Sequence, residues 1–197
     1  MPKSLPFEGS IIALDIAKST GVAEGRPGEN PVLSTLKFER EFDNAPDIFG
    51  RGVRWMTQRF KAAPLPALVV VESIVPQYDK TIQSGLWGVF TGMARALEIP
   101  VLVAPIQTWR TQILGQGDLP GPMAKERAIE LCYLLQWAKR GDKGFTHDAA
   151  EAACQWLWAC QRVAPQIAQS APFFMRVSIP KKKRPPGVAV FKQRGRR

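Results

Sequence analysis

The chain has 197 residues, 45% of them hydrophobic and six of them tryptophan, which is enough for one packed α/β-sized domain and argues against disorder throughout. No apolar run approaches the roughly 20 residues of a membrane span, and the opening "MPKSLPFEGS" lacks the basic-then-apolar layout of a secretion signal, so a cytoplasmic protein with no membrane partner is expected. The net charge of +10 is concentrated in residues 181–197, which hold eight Lys or Arg and no acid, so the rest of the chain has a balance of only +2.

In chain order, "SIIALDIA" (Ser10–Ala17) is a short apolar, partly β-branched run that predicts a buried strand, and "TGVAEG" predicts its hairpin partner. "VLSTLKFER" (Val32–Arg40) alternates as a third strand, giving an antiparallel meander. A helix follows in "DNAPDIFGRGVRWMTQRFKAA", with Asp43 or Asn44 as cap, Pro46 in the first turn, and Gly50 and Gly52 weakening it. "ALVVVES" (Ala67–Ser73) is the clearest strand, because a continuous β-branched run implies burial on both faces. Residues 79–98 predict a helix and "PVLVAP" a strand returning alongside it, a β-helix-β unit. Two more helices are expected, in "MAKERAIELCYLLQWAK" and "THDAAEAACQWLWACQRVA". The periodic pattern stops at Pro165, which divides a domain over 1–165 from a loop and basic tail over 166–197. Cys132, Cys154 and Cys160 show no CxxC pairing and are expected to be reduced core residues.

The acids at the ends of these elements carry the chemical signal. Asp15 stops the apolar run of the first strand, as either a turn residue or a site residue. Glu72 closes the buried run "LVVVE", where a carboxylate is costly unless it is paired, hydrogen-bonded or bound to a cation, or unless the strand end is exposed. Thr146 is a candidate N-cap that sets His147 and Asp148 in the first turn of the last long helix, with Glu151 just beyond. Capping and the helix dipole account for Asp148 but less well for Glu151. The two acids are three residues apart, hence on one helix face, and Ala149, Ala150, Ala152 and Ala153 let that helix approach a sheet closely. His147, the one histidine, is a candidate accessory residue or a plain capping residue. Four carboxylates gathered at one edge of a mixed sheet would suit Mg²⁺ or Mn²⁺, and two such ions can activate a water and stabilise the leaving oxygen in phosphodiester hydrolysis. The basic tail, with Lys181, Lys182, Lys183 and Arg184, is either a solvated solubility device or an arm for phosphate backbones. Its "PKKKR" also has the form of a short nuclear import signal, a pattern that arises easily by chance.

The ordered set "IIALDIAKSTG", "LVVVES" and "THDAAEAA", with the "APIQTWRTQILGQG" and "MAKERA" stretches between, resembles the RuvC-type Holliday junction resolvases of the RNase H-like superfamily over about residues 10–164. The resemblance implies an α/β fold with an RNase H-like mixed five-stranded sheet flanked by helices. It implies that Asp15, Glu72, Asp148 and Glu151 are catalytic and hold two Mg²⁺ or Mn²⁺ ions, with a register using His147 in place of Asp148 as the alternative. The chain departs from the family's usual pattern at Ile16 and Ala17 after the first aspartate, and at Glu151, where an aspartate is usual. The implied activity is that of a homodimeric crossover junction endonuclease, which nicks two strands of like polarity in four-way DNA. Residues 79–98 are the candidate dimer face. Tyr78, in the loop after Glu72, falls where the family probes the junction centre, and Lys80, Lys125 and Arg127 are candidate phosphate contacts. The competing expectations are a related nuclease for flaps, forks or other branched nucleic acid, and a non-catalytic DNA-binding protein. Any motor partner is open.

Overall fold

The computed structural model of the chain describes residues 7–62, 64–74 and 81–170. Its centre is a five-stranded sheet in the order β3-β2-β1-β4-β5. The strands are β1 (Ile11–Asp15), β2 (Ser19–Gly25), β3 (Val32–Lys37), β4 (Leu68–Glu72) and β5 (Val101–Ala104). β1, β2 and β3 are antiparallel neighbours, while β1 pairs parallel with β4 and β4 parallel with β5. The expected third strand is shorter than its sequence pattern, ending at Lys37, and Phe38 turns into the core instead.

Side-chain alternation gives the sheet two faces. Ile12, Leu14, Val69 and Val71 face helices α1 (Ala45–Ala62) and α2 (Thr81–Ala96), with Ile48, Met56, Leu86 and Phe90. Gly52 belongs to this packing, because a Cβ there would come within 2.9 Å of Leu86. Ile11, Ala13, Ala23, Leu68, Val70 and Ala104 face the other way, onto α5 (His147–Val163) and α4 (Gly121–Leu134). Gly21 and Ala23 of β2 and Ala13 of β1 are small, and so are Ala149, Ala150, Ala152 and Ala153 on the helix, so the helix packs closely onto these strands. Burying one such apolar surface stabilises by about 25 cal/mol per Å² removed from water. Cys132, Cys154 and Cys160 are free and buried within this second layer, and burial pushes the Cys132 thiol up to about 12.

One further segment has structure where no element was assigned from sequence, and another differs from expectation. Residues between β5 and α4 are structured, as a short helix α3 (Ile106–Trp109) that continues into a π-helical turn over Arg110–Leu114 and ends on Gly115 at φ 79°. Sequence periodicity is weak there because threonines and glycines interrupt it, although Trp109 and Ile113 at helical spacing are both buried. After Val163, the chain is helical again over Pro165–Ser170 (α6), where a loop was expected, and proline suits the first turn of a helix. α6 lies against the β2–β3 turn, since a Cβ on Gly28 would come within 2.8 Å of Ile167. Among the described residues, no helix is long and apolar enough to cross a membrane.

Candidate active site

Asp15 shares the alternation of Ile11 and Ala13, and Glu72 that of Leu68 and Val70, so both carboxylates lie on the α5 face of the sheet. β1 and β4 run in parallel register, with Leu14 opposite Val71, which makes Asp15 and Glu72 the next neighbouring pair at the carboxyl ends of adjacent strands. On its other side Asp15 pairs with Gly21 of β2, and α5 begins directly above that glycine. Thr146 caps the helix by accepting from the Ala149 amide at 3.3 Å, and its hydroxyl lies 2.7 Å from that of Thr35 on β3. The first turn of α5 is thereby pinned over the strand ends, delivering Asp148 and then Glu151.

Each acid has a distinct set of neighbours. Glu72 accepts from Trp109 Nε1 at 3.0 Å through Oε1, while Trp87 Nε1 of α2 donates to its backbone carbonyl at 3.1 Å. Asp148 accepts from Ser19 Oγ at 2.8 Å, and its other oxygen lies 3.1 Å from His147 Nε2. His147 therefore touches Asp148 rather than Glu151, and remains largely open to solvent. Glu151 is only 5% exposed and is paired with Arg110 Nη2 at 3.0 Å. Ser19, Trp109 and Arg110 were not anticipated from sequence, because each reaches its acid through a long-range contact that no local pattern marks.

Burial, followed by the negative charges of Glu72, Glu151 and Asp148, holds the Asp15 carboxyl well above the usual range, against a lowering influence from Lys125. Burial likewise raises Glu151, with Arg110 and Lys125 opposing. Lys125 of α4 is thus close enough to act on two of the acids. Arg127 is engaged elsewhere, donating to the Leu114 carbonyl at 3.2 Å. Tyr78, Lys80 and Lys181, Lys182, Lys183 and Arg184 lie outside the described residues. On the candidate dimer face, Leu86, Phe90 and Ala94 are consumed by the core, Trp87 and Met93 are partly buried against it, and Leu97 is exposed.

Hard carboxylate oxygens and an excess of negative charge suit a divalent cation. Asp15, Glu72 and Asp148 fit such an ion in kind and charge. Glu151 does not as it stands, being committed to Arg110, and among the described residues no three ligand-type side chains converge closely enough to chelate one ion.

The raised Asp15 fixes a sign for stability. Asp15 holds its proton more tightly folded than unfolded, so above the ordinary value of 3.8 the folded state binds the extra proton and stability falls as pH rises through the window up to the raised value. Asp15→Asn removes that loss. In metal-free buffer its Tm is expected to gain on the wild type as pH goes from about 4 to about 8, and a gain that is flat or shrinks with pH would contradict the crowding of charge around Asp15.

No protein-family profile matches the chain, and no curated protein does. Solved structures do. RuvC of Thermus thermophilus is 17% identical, with a TM-score of 0.54 over 78% of this chain and 95% of that one. The same organism's RuvC in complex with Holliday junction substrate gives 17% identity and a TM-score of 0.57, over 80% of this chain and 98% of that one. The yeast mitochondrial Holliday junction resolvase is 10% identical, with a TM-score of 0.53, over 87% of this chain and 85% of that one. The five-stranded mixed sheet with its flanking helices is the RNase H-like fold of these resolvases.

Proposed function

We propose that the chain is a metal-dependent, structure-selective endonuclease that resolves four-way DNA junctions as a homodimer. The observation carrying this reading is the placement of Asp15, Glu72, Asp148 and Glu151 on one face at one end of the sheet, close enough that the last three raise the first. That cluster costs folding free energy, and a purely structural domain has no use for it. The likeness in fold to two junction resolvases adds to it.

In this reading Asp15, Glu72 and Asp148 would hold the cation, Mg²⁺ or Mn²⁺, and would have to draw closer together to do so. A bound ion of this kind supplies Lewis acidity toward phosphoryl oxygen and water. The reaction is hydrolysis: water adds at phosphorus, the bond from phosphorus to the 3′-oxygen breaks, and no covalent enzyme intermediate forms. Trp109 orients Glu72, and Ser19 and His147 orient Asp148, so each acid is held at the sheet end by a neighbouring side chain. Lys125 offsets part of the negative charge that would otherwise repel the DNA backbone. The basic tail adds affinity independent of sequence. Selectivity for junctions comes from the shape and deformability of the DNA more than from base edges.

Synthetic four-way, flap, fork and linear DNA, each with Mg²⁺ or Mn²⁺, test the proposal. Paired symmetric nicks confined to the four-way substrate are the expected result. Selective cutting of flaps or forks would reassign the substrate while keeping the chemistry, and binding without cleavage of any substrate would remove the enzyme reading altogether.

A further inference from the structure

Arg110 stands where a cation would otherwise neutralise Glu151. The two side chains are 16% and 7% exposed, so this ion pair is largely shielded from water. The guanidinium also lies 5.3 Å from the centroid of the Trp109 ring, and Trp109 in turn donates to Glu72. One guanidinium and its supporting indole therefore touch two of the four acids. The pairing is incomplete, because Arg110 Nε is buried and has no hydrogen-bond partner, an unmet donor that penalises the closed arrangement. The residue begins a π-helical turn, a backbone form that departs readily from regular helix and recurs at functional sites.

We propose that Arg110 is a built-in counter-ion that competes with a divalent cation for Glu151, so that filling the acidic cluster completely requires the guanidinium to leave. This rests on the metal-dependent nuclease reading. The basic groups facing the cluster are Arg110 from the π-helical turn, Lys125 from α4 and His147 from α5. Of these, Arg110 is the one hydrogen-bonded to Glu151. A guanidinium does not deprotonate, so the arginine gives up an ionised Glu151 by moving and not by losing its charge. The consequence is two unequal binding steps: one at Asp15, Glu72 and Asp148, which have to draw together around the ion, and a weaker one at Glu151 that also requires Arg110 to leave.

The test is calorimetric titration of Mn²⁺ into the full chain without DNA, for wild type, Arg110→Met, Glu151→Gln, Glu72→Gln and the Arg110→Met/Glu151→Gln pair, with circular dichroism as the check on folding. Methionine removes the charge and keeps an apolar stem against Trp109. Arg110→Met is expected to tighten the weaker step by on the order of tenfold, and the gain is expected to vanish when Glu151 is also replaced. Should Arg110→Met not fold, Arg110→Gln is expected to tighten it in the same direction. If the wild type binds Mn²⁺ in a Glu72-dependent way and folded Arg110 variants bind it equally or more weakly, competition is overturned and the nuclease reading stands. If neither wild type nor variant binds Mn²⁺, the metal-dependent reading fails and competition fails with it.

Discussion

Glu72→Gln is expected to abolish cleavage while leaving the fold at least as stable as the wild type. Glutamine keeps an oxygen to accept from Trp109 Nε1, and the bond from Trp87 goes to the backbone, so neither contact is lost. Toward Asp15, the change is the loss of one negative charge, the largest of the like-charge influences on that carboxyl. Relief of this repulsion favours the folded state in metal-free buffer, and a gain of about 1 kcal/mol would raise Tm by a few degrees in a domain of this size. Catalysis moves the other way. Loss of a charged cation ligand is expected to cost at least ~10³-fold in turnover on four-way DNA, equivalent to about 4 kcal/mol of transition-state stabilisation. The pairing of the two measurements is the point: a structural carboxylate would lose stability on neutralisation, whereas a functional one kept at a cost gains it. Cleavage within about tenfold of wild type would remove Glu72 from the chemistry.

The same tension explains what was legible in the sequence. Strong periodic or continuous apolar runs gave β1, β4, α5 and the meander their places, since each buries a face that nothing else in the fold could cover. Asp15 and Glu72 stood out because they end those runs, and Glu151 because the helix dipole accounts for Asp148 in the first turn but less well for a second acid three residues on along the same face. Residues that act through tertiary contact left no such mark. Ser19 reaches Asp148 from 129 positions away, and Arg110 reaches Glu151 from 41. Arg110 sits in a π-helical turn whose residues follow no regular period, and the fold alone puts it against Glu151. The side-chain directions of the first turn of α5 were equally invisible: Asp148 is turned inward onto Ser19, while His147 sits outside it.

Gly21→Ala is expected to cause the largest loss among single-methyl changes, in stability and activity together. A Cβ on Gly21 would lie 1.9 Å from the Asp148 carbonyl oxygen and 2.7 Å from the Ala149 nitrogen, so the obstacle is helix backbone and cannot rotate away. The strand is locked by antiparallel pairing on both sides, with Asp15 and Thr35 as the neighbours of Gly21, so the helix has to yield. Lifting the first turn of α5 would loosen the Thr35–Thr146 contact, open the packing of the alanines onto the sheet and draw Asp148 away from Ser19. Overpacking of this kind costs about 3 kcal/mol, read as a lower urea midpoint with little change in the denaturant slope. Cleavage should fall further than stability explains, because the displaced turn is the one that carries Asp148. Gly25→Ala is the control, on the same strand beneath the far part of α5. Its Cβ would meet Pro31 at 3.1 Å and the Trp156 ring at 3.4 Å, so it should reduce stability with the acidic cluster undisturbed. If Gly21→Ala and Gly25→Ala lose cleavage only in proportion to the folded fraction, the close seating of the α5 start on β2 serves packing alone; a disproportionate loss in Gly21→Ala ties that close approach to the placement of the acids.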